Sequence, residues 1–217
     1  MIKVAFFGDS ICLGQGVSIH NGWVVRLSDF IEKKLDNSFP SLIFNSSYNG
    51  RTSREALLQM SFEILDHKPD ILLIQFGMND CNYWKTHHGV PRVSIKSFKE
   101  NITEMIFRSF NSGIKYVVVN TNHPTPKNSK FEYANLSYEE SNCLYNEALR
   151  EISRPSDNFV LNDMNKKIQK FLSNNNLIAE DIVLKDGIHL NQFGHELYFD
   201  FTSKVMEDLI KKSLNGL

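Results

Sequence analysis

The chain has 217 residues, 41% hydrophobic and 23% charged, with 24 Lys and Arg against 25 Asp and Glu for a formal charge of −1. That length holds a well-buried core and suits one α/β domain spanning residues 1–217. The balanced charge excludes the broad basic surface that nucleic acid requires, and no apolar run reaches the roughly 18 residues of a membrane span.

The N-terminal MIKVAFFGDS carries one lysine and a short apolar run. It lacks the longer apolar region and small-residue cleavage site of a secretory signal, so a cytoplasmic protein is expected. Its apolar part, residues 2–7 (IKVAFF), reads as a first strand, and Trp23, Leu27, Phe30, Ile31 and Leu35 then fall at helical spacing. Residues 42–45 (LIFN) make a second strand, followed by a helical stripe of Ala56, Leu57, Met60 and Ile64. The continuously apolar ILLIQF (71–76) is a third strand, and Ile102, Met105, Ile106 and Phe110 mark the next helix. A fourth strand, YVVVNT (116–121), precedes a Pro/Asn/Lys-rich surface loop at about 122–137 and a helix with Cys143, Leu144, Ala148 and Ile152 on one face. A weaker strand at 158–163 and an amphipathic helix from about Phe193 to Leu214 complete the chain. Strands alternating with helices call for a parallel sheet covered on both faces, because each crossover must bury its apolar stripe against that sheet. Ligands of such sheets bind at the C-terminal strand ends, which singles out the loops after each strand.

The first of these loops, GDSICLGQG, is neither a phosphate cradle nor a dinucleotide fingerprint. A P-loop needs a lysine and a Ser/Thr after its glycines, and here Gly14-x-Gly16 is followed by Ile19 where the third glycine of the fingerprint belongs, with Asn45 in place of the ribose-binding acid. A structural turn remains open, with Ser10 capping the helix that follows. The other end of the chain favours chemistry. In LKDGIHLNQFGH, Asp186 and His189 stand three residues apart just ahead of a helix. A serine hydroxyl is a weak nucleophile until an imidazole takes its proton, and a carboxylate must fix that imidazole's tautomer. Ser10, His189 and Asp186 are therefore the expected nucleophile, base and orienting acid. Acyl transfer also needs donors aimed at a developing oxyanion. The N–H of Ser10, the N–H of Gly50 in YNGRTS and the side-chain amide of Asn79 in FGMND are the candidates, with turn-forming roles as the alternative for Gly50 and Asn79.

Gly8-Asp9-Ser10, Asn49-Gly50, Gly77-Met78-Asn79-Asp80 and Asp186-Gly187-Ile188-His189 together resemble the four motif blocks of the SGNH hydrolases, also called GDSL esterases, in the family's order. Each block is weak alone; four in order are specific. The resemblance implies a flavodoxin-like three-layer α/β/α fold with a parallel sheet of about five strands. It also implies a serine esterase using Ser10, His189 and Asp186, with Gly50 and Asn79 completing the oxyanion hole, and no cofactor or metal. The namesake leucine after the serine is Ile11 here, a conservative change.

The remaining candidates carry plainer readings. Asp9 hydrogen-bonds its own loop, Trp23 is core, and His195 packs or caps on the final helix. His87 and His88 lie exposed on a loop without the acids or thiols of a metal site. Cys12, Cys81 and Cys143 are free thiols, the first two acting as small apolar fillers or lying near the chemistry. Tyr83 and Trp84 follow Asn79 closely and should overhang the crevice. They serve either as a platform for a sugar face or as anchors that tether their loop, with Lys85, His87, His88 and Arg92 offering hydrogen bonds. The expected substrate is a small ester, an acetyl ester of a polar or carbohydrate alcohol. The alternatives are a lysophospholipase or thioesterase acting on longer chains, an acyltransferase, and a carbohydrate-binding module that has lost turnover.

Overall fold

The computed structural model describes residues 1–35, 39–152, 154 and 156–215, apart from the side chain of Asn215. Five strands, β1 (Ile2–Gly8), β2 (Ser41–Asn45), β3 (Ile71–Gln75), β4 (Tyr116–Asn120) and β5 (Phe159–Asn162), form one sheet in the order β2-β1-β3-β4-β5. Every neighbouring pair is parallel, with Val4 opposite Ile71 and Ile71 opposite Tyr116 in the central register. β3 is buried along its whole length, whereas the edge strand β2 has only half-buried and exposed residues. This is the flavodoxin-like arrangement expected from the sequence.

The helices form the two outer layers. On one face α2 (Trp23–Leu35) packs against α7 (Gln192–Asn215), which also meets α6 (Met164–Asn174); on the other, α3 (Ser53–Glu63), α4 (Ile95–Asn111) and α5 (Tyr138–Arg150) lie side by side. α2 shows why such segments are helical. Trp23, Val24, Leu27, Ile31 and Leu35 recur at helical spacing and are all buried, each contributing about 1.5–3 kcal/mol by leaving water. Trp23 meets Phe6 edge-on at 5.9 Å and donates its indole N–H to Ile11 O at 2.8 Å, so it belongs to the core as expected. Helix starts are capped by the residues that chemistry favours: Thr52 with Glu55 and Ser137 with Glu140 make reciprocal capping boxes, and Ser94 and Asp163 each accept a backbone N–H.

Two features depart from the sequence reading. α6 carries buried Met164, Ile168 and Leu172 at four-residue spacing, a stripe overlooked among its lysines and asparagines. The segment expected as a surface loop at 122–137 begins inside the protein, with Asn122 and His123 fully buried and Thr125 nearly so. Its backbone is satisfied by α5: Asn146 Oδ1 accepts from Asn122 N–H at 2.7 Å, and Asn142 Nδ2 donates to His123 O at 2.9 Å. Asn122 also fills the space beside Gly77, where φ is +129° and a Cβ would lie 2.4 Å from Asn122 Nδ2.

The strand order reverses between β1 and β3, since β1 leads outward to β2 and β3 leads the other way to β4 and β5. Loops leaving these two strands diverge and open a crevice at their C-terminal ends. Ser10 stands at the first of those ends and Asn79 just beyond the second.

Candidate active site

Ser10 is the first residue of α1 (Ser10–Leu13), a helix of 4 residues. The helix cap is Asp9, whose Oδ1 accepts from Ile11 N–H at 2.9 Å, so Asp9 has the loop-bracing role expected of it and Ser10 is released from capping. The hydroxyl of Ser10 lies 2.9 Å from Nε2 of His189, across 179 residues of sequence. Nδ1 of His189 in turn lies 2.6 Å from Oδ2 of Asp186. A carboxylate only accepts, so the ring proton sits on Nδ1 and the lone pair on Nε2 faces the serine hydroxyl.

Asp186 and His189 are brought together by a closed turn. Val183 and Leu190 pair as an antiparallel bridge, Leu184 N–H donates to His189 O at 2.7 Å, and Gly187 N–H returns to Leu184 O at 2.9 Å. Inside this turn Asp186 Oδ1 accepts from the N–H groups of Ile188 and His189 at 2.9 and 3.0 Å. Partial burial raises the carboxyl pKa, but the bonds from His189 and from these two backbone groups outweigh it and hold Asp186 below the usual carboxylate range.

The turn is anchored by a residue the sequence reading missed. His123 donates from Nε2 to Ile188 O at 2.8 Å, because a carbonyl can only accept, and its Nδ1 accepts a hydrogen bond from the hydroxyl of Tyr198 on α7 at 3.0 Å. Burial pushes the His123 imidazole down to about 4, so it stays neutral in this relay. The signal available was position: His123 lies just past the C-terminal end of β4, where the crevice of a parallel sheet forms. Lys127, from the same segment, donates to Asp186 O at 3.1 Å.

The loops bearing Gly50 and Asn79 both reach the end of β1, where Tyr48 N–H donates to Gly8 O at 3.2 Å. Asn79 Nδ2 donates to Asp9 Oδ2 at 3.4 Å. Tyr138 and Ser141 of α5 donate to Met78 O and Cys81 O at 2.5 and 2.8 Å, fixing the loop from beneath. Asp80 accepts from the N–H and hydroxyl of Ser53, joining this loop to the start of α3. Among the described residues, no hydrogen bond runs from the N–H of Ser10 or of Gly50 to a protein acceptor. Burial pushes the carboxyl of Asp9 up to about 7 despite the bond from Ile11, with the neighbouring Asp80 adding to the rise, and pushes Asp80 up to about 6.

The flanking residues sort less simply. Arg92, expected to offer hydrogen bonds to substrate, directs Nη1 to Gly50 O at 2.8 Å and to Asn79 Oδ1 at 3.3 Å, and its side chain is only 10% exposed. Tyr83 stacks on Phe131 with centroids 4.9 Å apart, and Trp84, 47% exposed, carries the Arg92 guanidinium over one face at 4.2 Å. These two rings line a cavity of about 160 Å³ that shares Phe131 with a larger one of about 410 Å³. The larger cavity reaches Ile188 and is lined also by Asn82, Lys127, Asn128 and Ser129. Lys85 pairs with Glu132 at 2.7 Å. His88 is exposed and His87 half-buried against Trp84. His195 packs on α7 as expected and accepts from Trp23 N–H at 3.3 Å, which makes it a cap for α2. Cys12 and Cys81 are fully buried, and burial drives both thiols far up, which leaves them as inert fillers.

Taken chemically, Asp186 and His189 are placed to take the proton of the Ser10 hydroxyl, a requirement for its attack on a carbonyl. Comparison with known proteins bears on this. A model described as the GDSL-like lipase/acylhydrolase family matches residues 6–197. The chain is 33% identical over 121 residues to a Bacillus subtilis protein named uncharacterized lipoprotein YqeF, covering 54% of this chain and 46% of that one. It is 26% identical over 137 residues to an arylesterase of Vibrio mimicus, covering 63% of this chain and 62% of the relative. The chain thus spans only about half to three-fifths of the length of these curated relatives. Among solved structures, a catalytic mutant of Axe2, an acetylxylan esterase from Geobacillus stearothermophilus, superposes with a TM-score of 0.73 at 15% identity, covering 95% of this chain and 93% of that one. At that identity the likeness is one of fold.

Proposed function

The chain belongs to the GDSL-like lipase/acylhydrolase family, and on that premise we propose that it is a serine esterase in which Ser10 is the nucleophile, His189 the base and Asp186 its orienting partner. The observation that carries the proposal is the unbroken relay from Asp186 through both ring nitrogens of His189 to the Ser10 hydroxyl, at 2.6 and 2.9 Å. Ser10 Oγ attacks the ester carbonyl as its proton passes to His189 Nε2. The oxyanion is held by the N–H groups of Ser10 and Gly50 and by Asn79 Nδ2. His189 then gives the proton to the departing alcohol, leaving an acyl-serine, and a water deprotonated by the same imidazole releases the acid and restores the hydroxyl.

The substrate we propose is a short-chain, acetyl ester of a polar or carbohydrate alcohol. The cavity of about 410 Å³ beside Ile188 supports this, since amides, a hydroxyl and a lysine line it alongside Phe131. The fold shared with an acetylxylan esterase points the same way. In this reading Tyr83 and the remaining face of Trp84 extend the surface over which a sugar would lie. The free thiols Cys12, Cys81 and Cys143 suit a reducing compartment, the cytoplasm. No helix among the described residues is long and apolar enough to cross a membrane.

Activated esters of graded length test the proposal. Acetyl esters should turn over with a burst of alcohol equal to the enzyme present, octanoyl esters should be poorer, and Ser10→Ala should abolish both the burst and labelling by a fluorophosphonate. Undiminished turnover by Ser10→Ala would remove the nucleophile. Preference for octanoyl over acetyl would instead leave the mechanism standing and move the substrate to lipids or thioesters.

A further inference from the structure

Arg92 lies between Asn79 and α4, and its contacts account for it in a way that substrate binding does not. Both hydrogens of Nη1 go to protein acceptors, the carbonyl of Gly50 at 2.8 Å and Oδ1 of Asn79 at 3.3 Å. Nη2 faces Glu55 Oε2 at 3.8 Å. The guanidinium lies over the Trp84 ring, with Cζ 4.2 Å from its centroid. Its backbone N–H donates to Asn82 O at 2.9 Å, so the loop itself is anchored where the side chain leaves it. One largely buried cation therefore bridges the loop after β2 to the loop after β3, at two of the three residues assigned as oxyanion donors.

We propose that Arg92 is a positioning residue that sets the oxyanion hole, an inference that rests on the roles given above to Gly50 and Asn79. The reason is the symmetry of a primary amide. Rotating the end of Asn79 by 180° exchanges its NH₂ and carbonyl at almost no steric cost, and the wrong orientation would aim a partial negative charge at the developing oxyanion. A guanidinium has donors only, so only Oδ1 can face it, and the NH₂ is turned away from it. The contact of Nδ2 with Asp9 Oδ2 at 3.4 Å selects the same orientation from the opposite side. A charged donor on Oδ1 also polarises the amide and strengthens its N–H groups as donors. At Gly50 the same Nη1 fixes the carbonyl of a turn residue with φ +74°, which prevents the turn from relaxing and carrying its N–H off target.

Four variants, Arg92→Ala, Arg92→Lys, Asn79→Ala and the Arg92→Ala/Asn79→Ala double, test this with 4-nitrophenyl acetate. Enzyme concentration is set by fluorophosphonate titration so that misfolded protein does not count. Arg92→Ala should lower kcat roughly 10- to 100-fold, less than the roughly 10²- to 10³-fold expected for removing a donor outright, with KM moved by less than about 3-fold. Arg92→Lys should recover part of kcat, and should carry the comparison if the alanine variant does not fold. The double variant should lose clearly less than the product of the two single losses, because Arg92 acts through Asn79. A raised KM at intact kcat would make Arg92 a substrate contact, and fully multiplicative losses or an unchanged kcat would equally overturn the proposal. Undiminished kcat in Asn79→Ala would instead dismiss the oxyanion assignment itself, an outcome separable from any result at Arg92.

Discussion

Gly50 shows what a single residue contributes and why. A Cβ built on it meets no protein atom within 4 Å, so packing inside the protein does not demand glycine there. The requirement for glycine comes from its backbone, at φ +74°, which an L side chain adopts only at a cost of roughly 1–2 kcal/mol. Gly50→Ala should therefore fold with a melting temperature lowered by roughly 2–8 °C, while losing at least 10-fold in kcat as the turn relaxes and its N–H shifts. A melt beside a kcat measurement checks both, and a variant with full activity would take Gly50 out of the oxyanion hole. Ser10, His189 and Asp186 were legible as residues because their chemistry is scarce and ordered. Arg92 was legible only as a nearby cation, since the two acceptors it holds lie 42 and 13 positions away.

At the scale of elements, the turn carrying Asp186 and His189 is held to the rest of the molecule by a latch from β4 to α7. Ile188 O, His123 and Tyr198 form a chain of hydrogen bonds in which every group is satisfied once the tautomer is set. Tyr198→Phe removes only the hydroxyl at a fully buried position and leaves Nδ1 of His123 without a donor. That should cost about 1–3 kcal/mol, seen as a lower melting temperature, together with a fall in kcat as the turn loosens; unchanged values of both would make the latch idle. The strands and most helices were readable from periodicity, because β3 is apolar throughout and α2 buries one stripe. α6 escaped because lysines and asparagines crowd its three buried apolar positions, Met164, Ile168 and Leu172. The buried start of the segment after β4 escaped for a different reason. Asn122 and His123 are polar residues made compatible with the interior only by partners on α5, α7 and the distant turn.

Across the whole molecule, buried ionisable groups oppose one another in their response to pH. His123 and His195 are both held down to about 4, chiefly by burial. The unfolded chain binds protons at these sites from about 6.5 downward and the folded one does not, so their contribution is present above 6.5 and is lost as pH falls towards 4. Asp9 and Asp80 run the other way. Their carboxyls are pushed up to about 7 and about 6 from 3.8, so the folded state keeps protons that the unfolded state releases, and stability falls as pH rises from about 4 to those values. Asp9→Asn deletes one of the carboxyls while keeping an acceptor for the Ile11 N–H. Relative to the parent, it should be the more stable protein at pH 8 and lose that advantage as pH drops to 5. Thermal melts across that range read the difference directly, and a difference that does not vary with pH would mean that Asp9 carries no such linkage.

The sequence by itself determined the alternation of strands and helices, the four motif blocks and the residue types that acyl transfer needs, because period and chemical scarcity are local properties that survive without a fold. Only the tertiary structure decided which groups touch: that Ser10 reaches His189, that Asp9 rather than Ser10 caps α1, and that Arg92 faces Gly50 and Asn79. Contacts of that kind depend on the order β2-β1-β3-β4-β5, which brings loops distant in sequence to one end of the sheet. A hydrogen bond forms or fails over a few tenths of an ångström, a distance that no one-dimensional pattern encodes.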